Sequence, residues 1–283
     1  MWTTTKSNCW TTTSMSIKPF YADPDVILTR YTLAPSVQAF STTRAGGVSL
    51  GSYAAMNINP YCGDSTEAIV ENRCRLAQTL GIAPENILLP HQVHGTETRL
   101  IDDDFLHLSA TDRQNRLEGI DALMTKMPGI CIGVSTADCV PVLLYDAHHH
   151  ASAAIHAGWR GTQQRIVGRT LQEMTHTFGT KPHDVHAVIG PCISLHAFEV
   201  GQEVYDQFAE TGFDMPRIAR KEEKWHINLP LCNRLQLQEW GVPTHQITDS
   251  NCCTFTQHEQ YFSARRLGIH SGRIYSGIIL CKK

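Results

Sequence analysis

The chain has 283 residues and a mass of 31.6 kDa, and its 24 lysines and arginines against 27 aspartates and glutamates give a formal net charge of −3. This balance provides no strongly basic surface, so the charge does not indicate a nucleic-acid partner. A hydrophobic content of 42% with 18% charged residues excludes disorder for the bulk of the chain.

Residues 1–15 are rich in Thr and Ser without periodicity, and we predict a disordered or frayed leader there. The sequence contains no run of about 20 apolar residues, so we expect no membrane partner and a cytoplasmic protein. Ten cysteines scattered through a chain of this length favour reduced thiols over a disulfide framework. Because no linker composition interrupts the rest, we predict one catalytic domain over 16–283.

Hydrophobic periodicity, capping residues and runs rich in Val, Ile and Leu predict helices and strands. The first helix begins after Asp64 or Ser65, either of which can cap its free amides, and ends at Gly81. In chain order, the predictions are a helix from Thr66 to Leu80, strands from Ala122 to Thr125, Ile130 to Ser135, Val140 to Tyr145 and Ser152 to His156, a helix from Thr162 to Phe178, a strand from Val185 to Ile189, helices from Glu203 to Glu210 and Leu229 to Trp240, and a strand from Ile274 to Leu280.

Two of these strands flank a polar, His-rich turn and predict a β-hairpin. If the turn centres between His148 and His149, Cys139 faces Gly158 across the hairpin, and His156 lies two residues away on the same face. Diagonal neighbours of this kind have Cβ atoms about 7 Å apart. The side chains of Cys139 and His156 are then close enough to converge on one ion.

Thiolate sulfur and imidazole nitrogen are donors that Zn²⁺ prefers, and His94, on a polar segment before Gly95, is the natural third ligand. Three protein ligands leave a position open for water, whose pKa zinc lowers to about 7. The resulting hydroxide suits hydrolytic deamination of a purine ring. Because the chain lacks CxxC pairs and a HExxH helix, a small buried cysteine that only packs remains the alternative for Cys139.

Several segments occur together in a recognisable order, and they resemble the laccase-domain or polyphenol-oxidase family of purine nucleoside phosphorylases over nearly the whole chain after the leader. Ala264 stands where that family often has an aromatic residue, a departure that touches none of the candidate ligands. The segments are Thr42-Thr43-Arg44-Ala45-Gly46-Gly47-Val48-Ser49, Ala55-Met56-Asn57, Gln92-Val93-His94-Gly95, Asp121-Ala122-Leu123-Met124-Thr125, Ala137-Asp138-Cys139, His156-Ala157-Gly158-Trp159-Arg160-Gly161, Gly190-Pro191-Cys192-Ile193, Phe198-Glu199-Val200-Gly201, Asn233-Arg234-Leu235-Gln236-Leu237, Phe262-Ser263-Ala264-Arg265-Arg266 and Gly272-Arg273.

The resemblance implies an α+β fold with mixed β-sheets sandwiched between helical layers. It also implies a Zn²⁺ site at His94, Cys139 and His156, which are then the catalytic residues. The implied reactions are phosphorolysis of adenosine, inosine and methylthioadenosine, and deamination of adenosine. The expected partners are therefore a small nucleoside and phosphate, and the oligomeric state is left open.

Phosphorolysis needs cations and backbone donors to bind phosphate. Arg44, in a glycine-rich turn that can form an anion nest, and Arg160, close in sequence to a proposed ligand, are the candidates, with ordinary ion pairs as the alternative. Asn57 and Gln92 are candidates for binding polar groups of the substrate, and either could instead cap or bridge a turn. Asp138 is a candidate for orienting a metal ligand.

Other functions remain open. A copper-dependent, laccase-like polyphenol oxidase follows from the family's older name, but a multicopper centre needs many His ligands, and the chain's only HxH pair is His148 with His150 in a predicted turn. A metal-free cysteine hydrolase would use Cys139 as nucleophile with His156 or His94 as base. A non-catalytic partner module is disfavoured because it gives no structural reason for three converging polar side chains.

Overall fold

A computed structural model describes residues 25–282, so the predicted leader at 1–15 lies outside the described residues. Its strands are two to seven residues long. In chain order they are β1 (Leu28–Tyr31), β2 (Val37–Thr42), β3 (Ile87–Leu88), β4 (Thr98–Ile101), β5 (Ala122–Thr125), β6 (Cys131–Thr136), β7 (Val140–Asp146), β8 (Ala151–Ala157), β9 (Val185–Ile189), β10 (Glu199–Val200), β11 (Ala219–Lys221), β12 (Trp225–Ile227), β13 (Ile247–Asp249) and β14 (Ile274–Leu280).

Helices connect these strands, and none of those within residues 25–282 is long and apolar enough to cross a membrane. The first begins at Ser65, whose hydroxyl accepts a hydrogen bond from the Ala68 amide, and ends at Gly81, as predicted. The helices are α1 (Thr66–Leu80), α2 (Asp103–His107), α3 (Ala110–Arg116), α4 (Trp159–Gln163), α5 (Ile166–Phe178), α6 (Gln202–Glu210), α7 (Met215–Ile218), α8 (Leu229–Glu239) and α9 (Ala264–Leu267).

Three sheets organise the strands. One has five strands in the order β1-β2-β14-β6-β3, the second has six in the order β13-β9-β7-β8-β5-β4, and a small third has the order β10-β12-β11. Both large sheets are mixed, because β3 runs parallel to β6 in the first, and β4 and β13 run parallel to their neighbours in the second. The remaining strand pairs of the described residues are antiparallel.

The two large sheets pack face to face around a buried apolar cluster. That cluster takes Val134 and Ile278 from the five-stranded sheet and Leu123, Leu143 and Val188 from the six-stranded sheet. Successive side chains of a strand point to opposite faces, so the alternate residues of the same strands face outward. The outward faces therefore need a helical cover.

Helices supply that cover on both sides. Leu171 of α5 and Leu237 of α8 belong to the cluster that also contains Val142 and Ile155, on the outer face of the six-stranded sheet. Leu76 of α1 packs on the outer face of the five-stranded sheet. The predicted α+β architecture, with mixed sheets between helical layers, is confirmed.

The six predicted strands are confirmed with end shifts of at most one residue, whereas one helix prediction is wrong. The helix expected from Thr162 to Phe178 is two helices, α4 and α5, with a break at Arg165. Arg165 has a φ of 66°, in the left-handed region, which a continuous right-handed helix does not accommodate. The apolar spacing on either side does not reveal this break.

The β7–β8 hairpin positions the candidate ligands. Val140 pairs with Ala157 and Pro141 with His156, which is the register predicted from the turn. Cys139 directly precedes β7, so it lies beside the carboxyl end of β8.

Candidate active site

Three side chains with metal-binding donors meet at that end of the hairpin. One donor atom from each of His94, Cys139 and His156 lies within 4.8 Å of the other two. The rings of His94 and His156 have centroids 4.8 Å apart and planes inclined at 76°. The structure thus brings together the three residues predicted as ligands, with His156 buried and His94 on an exposed loop.

The turn that carries Cys139 is held by its neighbour Asp138. The backbone of Asp138 has a φ of 86°, in the left-handed region that a non-glycine residue rarely adopts. Its carboxylate accepts hydrogen bonds from the Thr254 hydroxyl and the Arg265 amide, each at 2.6 Å. Asp138 therefore anchors this turn and does not hydrogen-bond to a ligand side chain, in contrast to its predicted role in orienting a ligand.

Asp121 is the carboxylate that orients the ligands. One of its oxygens accepts hydrogen bonds from Nδ1 of His156 at 2.7 Å and from the His94 amide at 3.0 Å. The other accepts from the amides of Gly95 at 2.8 Å and Val93 at 3.2 Å. Because Nδ1 of His156 is engaged by a fully buried carboxylate, Nε2 is the nitrogen left for a metal.

The electrostatics of the cluster favour a thiolate. Burial by itself raises the pKa of the Cys139 thiol, but the charge and hydrogen bond of His156, together with His94, outweigh burial and lower the pKa. Burial lowers the pKa of His156, and the opposing influence of Cys139 and Asp121 raises it above its ordinary value. A thiolate beside imidazoles is the form of cysteine that binds metals and acts as a nucleophile.

The donor chemistry fits a zinc ion, since Zn²⁺ binds cysteine sulfur and histidine nitrogen and catalytic zinc sites have three protein ligands. Gly158 leaves room for that set. A Cβ atom at Gly158 would lie 2.8 Å from Cδ2 of His94 and 3.2 Å from Sγ of Cys139. Within residues 25–282, these ligands form the one group of three or more His, Cys, Asp or Glu donors close enough to share an ion.

A cavity of about 890 Å³ opens onto the cluster, large enough for a small organic substrate. Trp159 and Tyr61 form aromatic parts of its wall, and Tyr61 stacks on His91 with ring centroids 4.2 Å apart. Arg265 and Arg273 also line it, whereas no Asp or Glu of the described chain does. The wall is therefore aromatic and positively charged.

Two of the predicted substrate-binding residues, Gln92 and Asn57, use their side-chain amides in hydrogen bonds to other residues of the protein. Gln92 lines the cavity, but its amide group donates to the Ser135 carbonyl at 2.8 Å and accepts from the Ser135 amide at 2.7 Å. Asn57 is buried outside the cavity wall and donates to the carboxylate of Asp64 at 2.8 Å.

Neither arginine predicted to bind phosphate lines the cavity. The guanidinium group of Arg44 donates to the backbone carbonyls of Ala54 and His258. Arg160 is exposed, with its guanidinium carbon 4.3 Å from the ring centroid of Trp159, which does line the cavity. The structure therefore places Arg160 against Trp159 but not among the residues that line the cavity.

Reasoning from the sequence missed Asp121, Arg265 and Arg273 as site residues. Asp121 had one local signal, because it is an acidic residue directly before a fully buried strand. The arginines stand in the closing segments that carry the family resemblance, and no local pattern distinguishes them from surface cations.

Known proteins are similar to this chain over most of its length. A family model described as multi-copper polyphenol oxidoreductase laccase matches residues 38–281. A purine nucleoside phosphorylase of Bacteroides thetaiotaomicron is 52% identical over 250 residues, covering 87% of this chain and 93% of that protein. Adenosine deaminase RL5 of an unknown prokaryotic organism is 40% identical over 245 residues, covering 86% and 93%. The crystal structure of YlmD from Geobacillus stearothermophilus has a TM-score of 0.83 and 29% identity, covering 89% and 94%.

Proposed function

The chain belongs to the multi-copper polyphenol oxidoreductase laccase family, and from this membership we propose that it is a cytoplasmic purine nucleoside phosphorylase that also deaminates adenosine. The proposed nucleosides are adenosine, inosine and methylthioadenosine, and the proposed cofactor is zinc held by His94, Cys139 and His156. The observation that carries the proposal is the convergence of these three donors within 4.8 Å at the cavity.

In deamination, water adds to C6 of the purine and ammonia leaves. Zinc, when bound, would supply Lewis-acid activation of water at neutral pH. The chain's own contribution is positional, because Asp121 holds His156 through Nδ1 and holds the His94 loop through backbone amides. Trp159 and Tyr61 provide aromatic surface against which a purine can pack.

In phosphorolysis, a phosphate oxygen forms a bond to C1′ of the ribose while the bond from C1′ to N9 breaks. The electron pair of that bond goes to the base, which takes up a proton, so the products are ribose 1-phosphate and the free purine. This step needs positive charge beside the nucleoside, and the arginines of the cavity wall provide it.

A metal-free cysteine hydrolase is the second candidate, because the same imidazoles that lower the pKa of Cys139 would activate it as a nucleophile. Copper-dependent oxidation has weaker support, since it rests on the family's description. The only HxH pair lies in the turn, where His150 contacts the hydroxyl of Tyr145 at 3.1 Å and the carbonyl of Cys281 at 3.2 Å.

The test is product analysis of zinc-loaded protein incubated with adenosine, with and without phosphate, beside a Cys139→Ala variant. We expect adenine only with phosphate, inosine in both conditions, and neither product from the variant. No product from folded, zinc-loaded protein would reject nucleoside chemistry. Copper in the purified protein together with oxygen consumption would favour the oxidase instead.

A further inference from the structure

We propose that the cavity contains a distinct phosphate subsite, formed by the guanidinium groups of Arg265 and Arg273 and the hydroxyl of Thr136. The inference rests on the proposed function and deepens it, because it assigns the second substrate to residues other than the metal ligands. It also relocates phosphate from Arg44 and Arg160, neither of which lines the cavity.

The first observation is positive charge on the cavity wall, with no carboxylate of the described residues bonded to either guanidinium group. The guanidinium group of Arg273 donates to the carbonyls of Ile269 and Gly272, and that of Arg265 donates to the carbonyl of Glu199 at 3.2 Å. These acceptors are neutral, and neither arginine forms an ion pair with a carboxylate in the described part of the chain. The Glu199 carboxylate itself is paired with Lys224 at 2.7 Å.

The second observation is the position of Arg265 relative to the metal ligands. Its backbone amide donates to the carboxylate of Asp138, the residue immediately before Cys139. The backbone of Arg265 therefore contacts the turn that carries Cys139, and its guanidinium group lies within the length of one arginine side chain of that turn. An anion held by Arg265 would lie in the same cavity as the metal.

The third observation is an unsatisfied hydroxyl at the end of β6. Thr136 lines the cavity with an exposed fraction of 1%, and its hydroxyl has no hydrogen-bond partner within residues 25–282. Buried hydroxyls are ordinarily hydrogen-bonded, so this exception in a cavity wall indicates a missing acceptor. The side chain of Ser135, the preceding residue of β6, points to the opposite face of the sheet and is not part of the subsite.

A tetrahedral oxyanion satisfies all three observations, because its oxygens accept from guanidinium N–H and from hydroxyl O–H groups. The absence of Asp and Glu from the cavity wall, within residues 25–282, removes the repulsion that an anion would meet. The same chemistry suits free phosphate or the phosphate of a nucleotide. We assign the subsite to free phosphate, since the 890 Å³ cavity has room for a nucleoside beside it.

The decisive variants are Thr136→Val, which removes a hydroxyl that makes no hydrogen bond in the described part of the chain, and Arg265→Gln. We expect each to raise the KM for phosphate in adenosine phosphorolysis by about 10- to 100-fold, since a hydrogen bond to a charged group contributes roughly 1.5–3 kcal/mol and about 1.4 kcal/mol corresponds to a factor of ten. Adenosine deamination, measured on the same preparations, uses no phosphate and reports on folding and metal loading.

Matched controls are Arg169→Gln and Ser152→Ala. Arg169 is an exposed arginine whose Nε also donates to a carbonyl, that of Gln164, and Ser152 is a buried hydroxyl without a partner outside the cavity. Both should leave the KM for phosphate unchanged. If Thr136→Val and Arg265→Gln also leave the KM for phosphate unchanged, the subsite is rejected. It is likewise rejected if these variants impair deamination as much as phosphorolysis.

Calorimetric titration of zinc-loaded protein with inorganic phosphate separates this inference from the proposed function. Phosphate binding that weakens in Thr136→Val and Arg265→Gln supports the subsite, even if the wild-type protein turns over no nucleoside. Equal binding by all variants overturns it. A parallel titration with adenosine 5′-monophosphate tests whether the subsite binds free phosphate or the phosphate group of a nucleotide. If the variants weaken binding of the nucleotide but not of inorganic phosphate, the assignment to free phosphate is overturned.

Discussion

Gly158 lies next to the candidate ligands His94 and Cys139, and the site has no room for a side chain at this position. In Gly158→Ala, the new Cβ atom would lie 2.8 Å from the His94 ring and 3.2 Å from the Cys139 sulfur. Because both contacts fall on side chains of candidate ligands, we expect the variant to lose most of its zinc and both nucleoside activities while keeping its fold. Metal analysis and circular dichroism check this outcome.

The control for that prediction is Gly119→Ala. Gly119 has a φ of 72°, and no atom lies within 4 Å of the place that an added Cβ would take, so alanine there costs backbone strain without touching the site. We expect slightly lower stability and full zinc content. Zinc retained by Gly158→Ala, or lost equally from both variants, would contradict the steric explanation.

Asp121 provides a second prediction at the scale of single residues. Asp121→Asn keeps the size of the side chain but removes the charge that holds Nδ1–H of His156. Residues that orient metal ligands through hydrogen bonds contribute about 10- to 100-fold in metal affinity. We expect the zinc Kd to rise by that factor in competition with a chromophoric chelator. An unchanged Kd would mean that Asp121 supports only the backbone of the loop.

At the scale of elements, the β7–β8 hairpin depends on its turn. The buried carboxylate of Asp146 accepts hydrogen bonds from the amides of His148 and His149, both at 2.9 Å, and from Nδ1 of His149. We expect Asp146→Ala to lower the free energy of unfolding by about 1–3 kcal/mol at pH 7, because it leaves these donors without an acceptor. Urea unfolding measures the difference, and His148→Ala, which changes an exposed side chain, should have little effect.

The same prediction has a pH dependence. Burial raises the pKa of Asp146, but the nearby Thr180 hydroxyl and the hydrogen bonds from His149 outweigh burial and lower it. A lowered pKa in the folded state stabilises the protein above the ordinary carboxyl pKa, and this stabilisation is lost as the pH falls through the folded-state value. The difference between wild type and Asp146→Ala should therefore shrink below about pH 4. A difference that grows in acid would contradict this assignment.

The hairpin is the part of the candidate site whose geometry could be predicted from the sequence. Its register followed from strand alternation and a symmetric turn, both local, so the approach of Cys139 to His156 could be derived before the structure. The contact of Asp121 with His156 spans 35 residues and depends on the pairing of β5 with β8. The break at Arg165 depends on one backbone angle that apolar spacing does not encode.

At the scale of the whole molecule, the ligands lie outside the apolar clusters that hold the sheets together. His94 comes from the loop after β3, Cys139 from the turn before β7 and His156 from β8, so a bound ion would connect three segments of an already folded chain. We therefore expect chelation to leave the secondary structure intact. A ligand at 100 times its Kd stabilises the folded state by about 2.7 kcal/mol, so thermal stability should fall when the metal is removed.

Metal removal also distinguishes the two enzymatic candidates. If zinc is the cofactor, the chelated protein should lose deamination and phosphorolysis, and added zinc should restore both together with the original Tm. Scanning calorimetry and product analysis of the same samples measure the two effects. Full turnover after complete zinc removal would instead assign the chemistry to the Cys139 thiolate, in which case a covalent intermediate on Cys139 should be detectable by mass spectrometry.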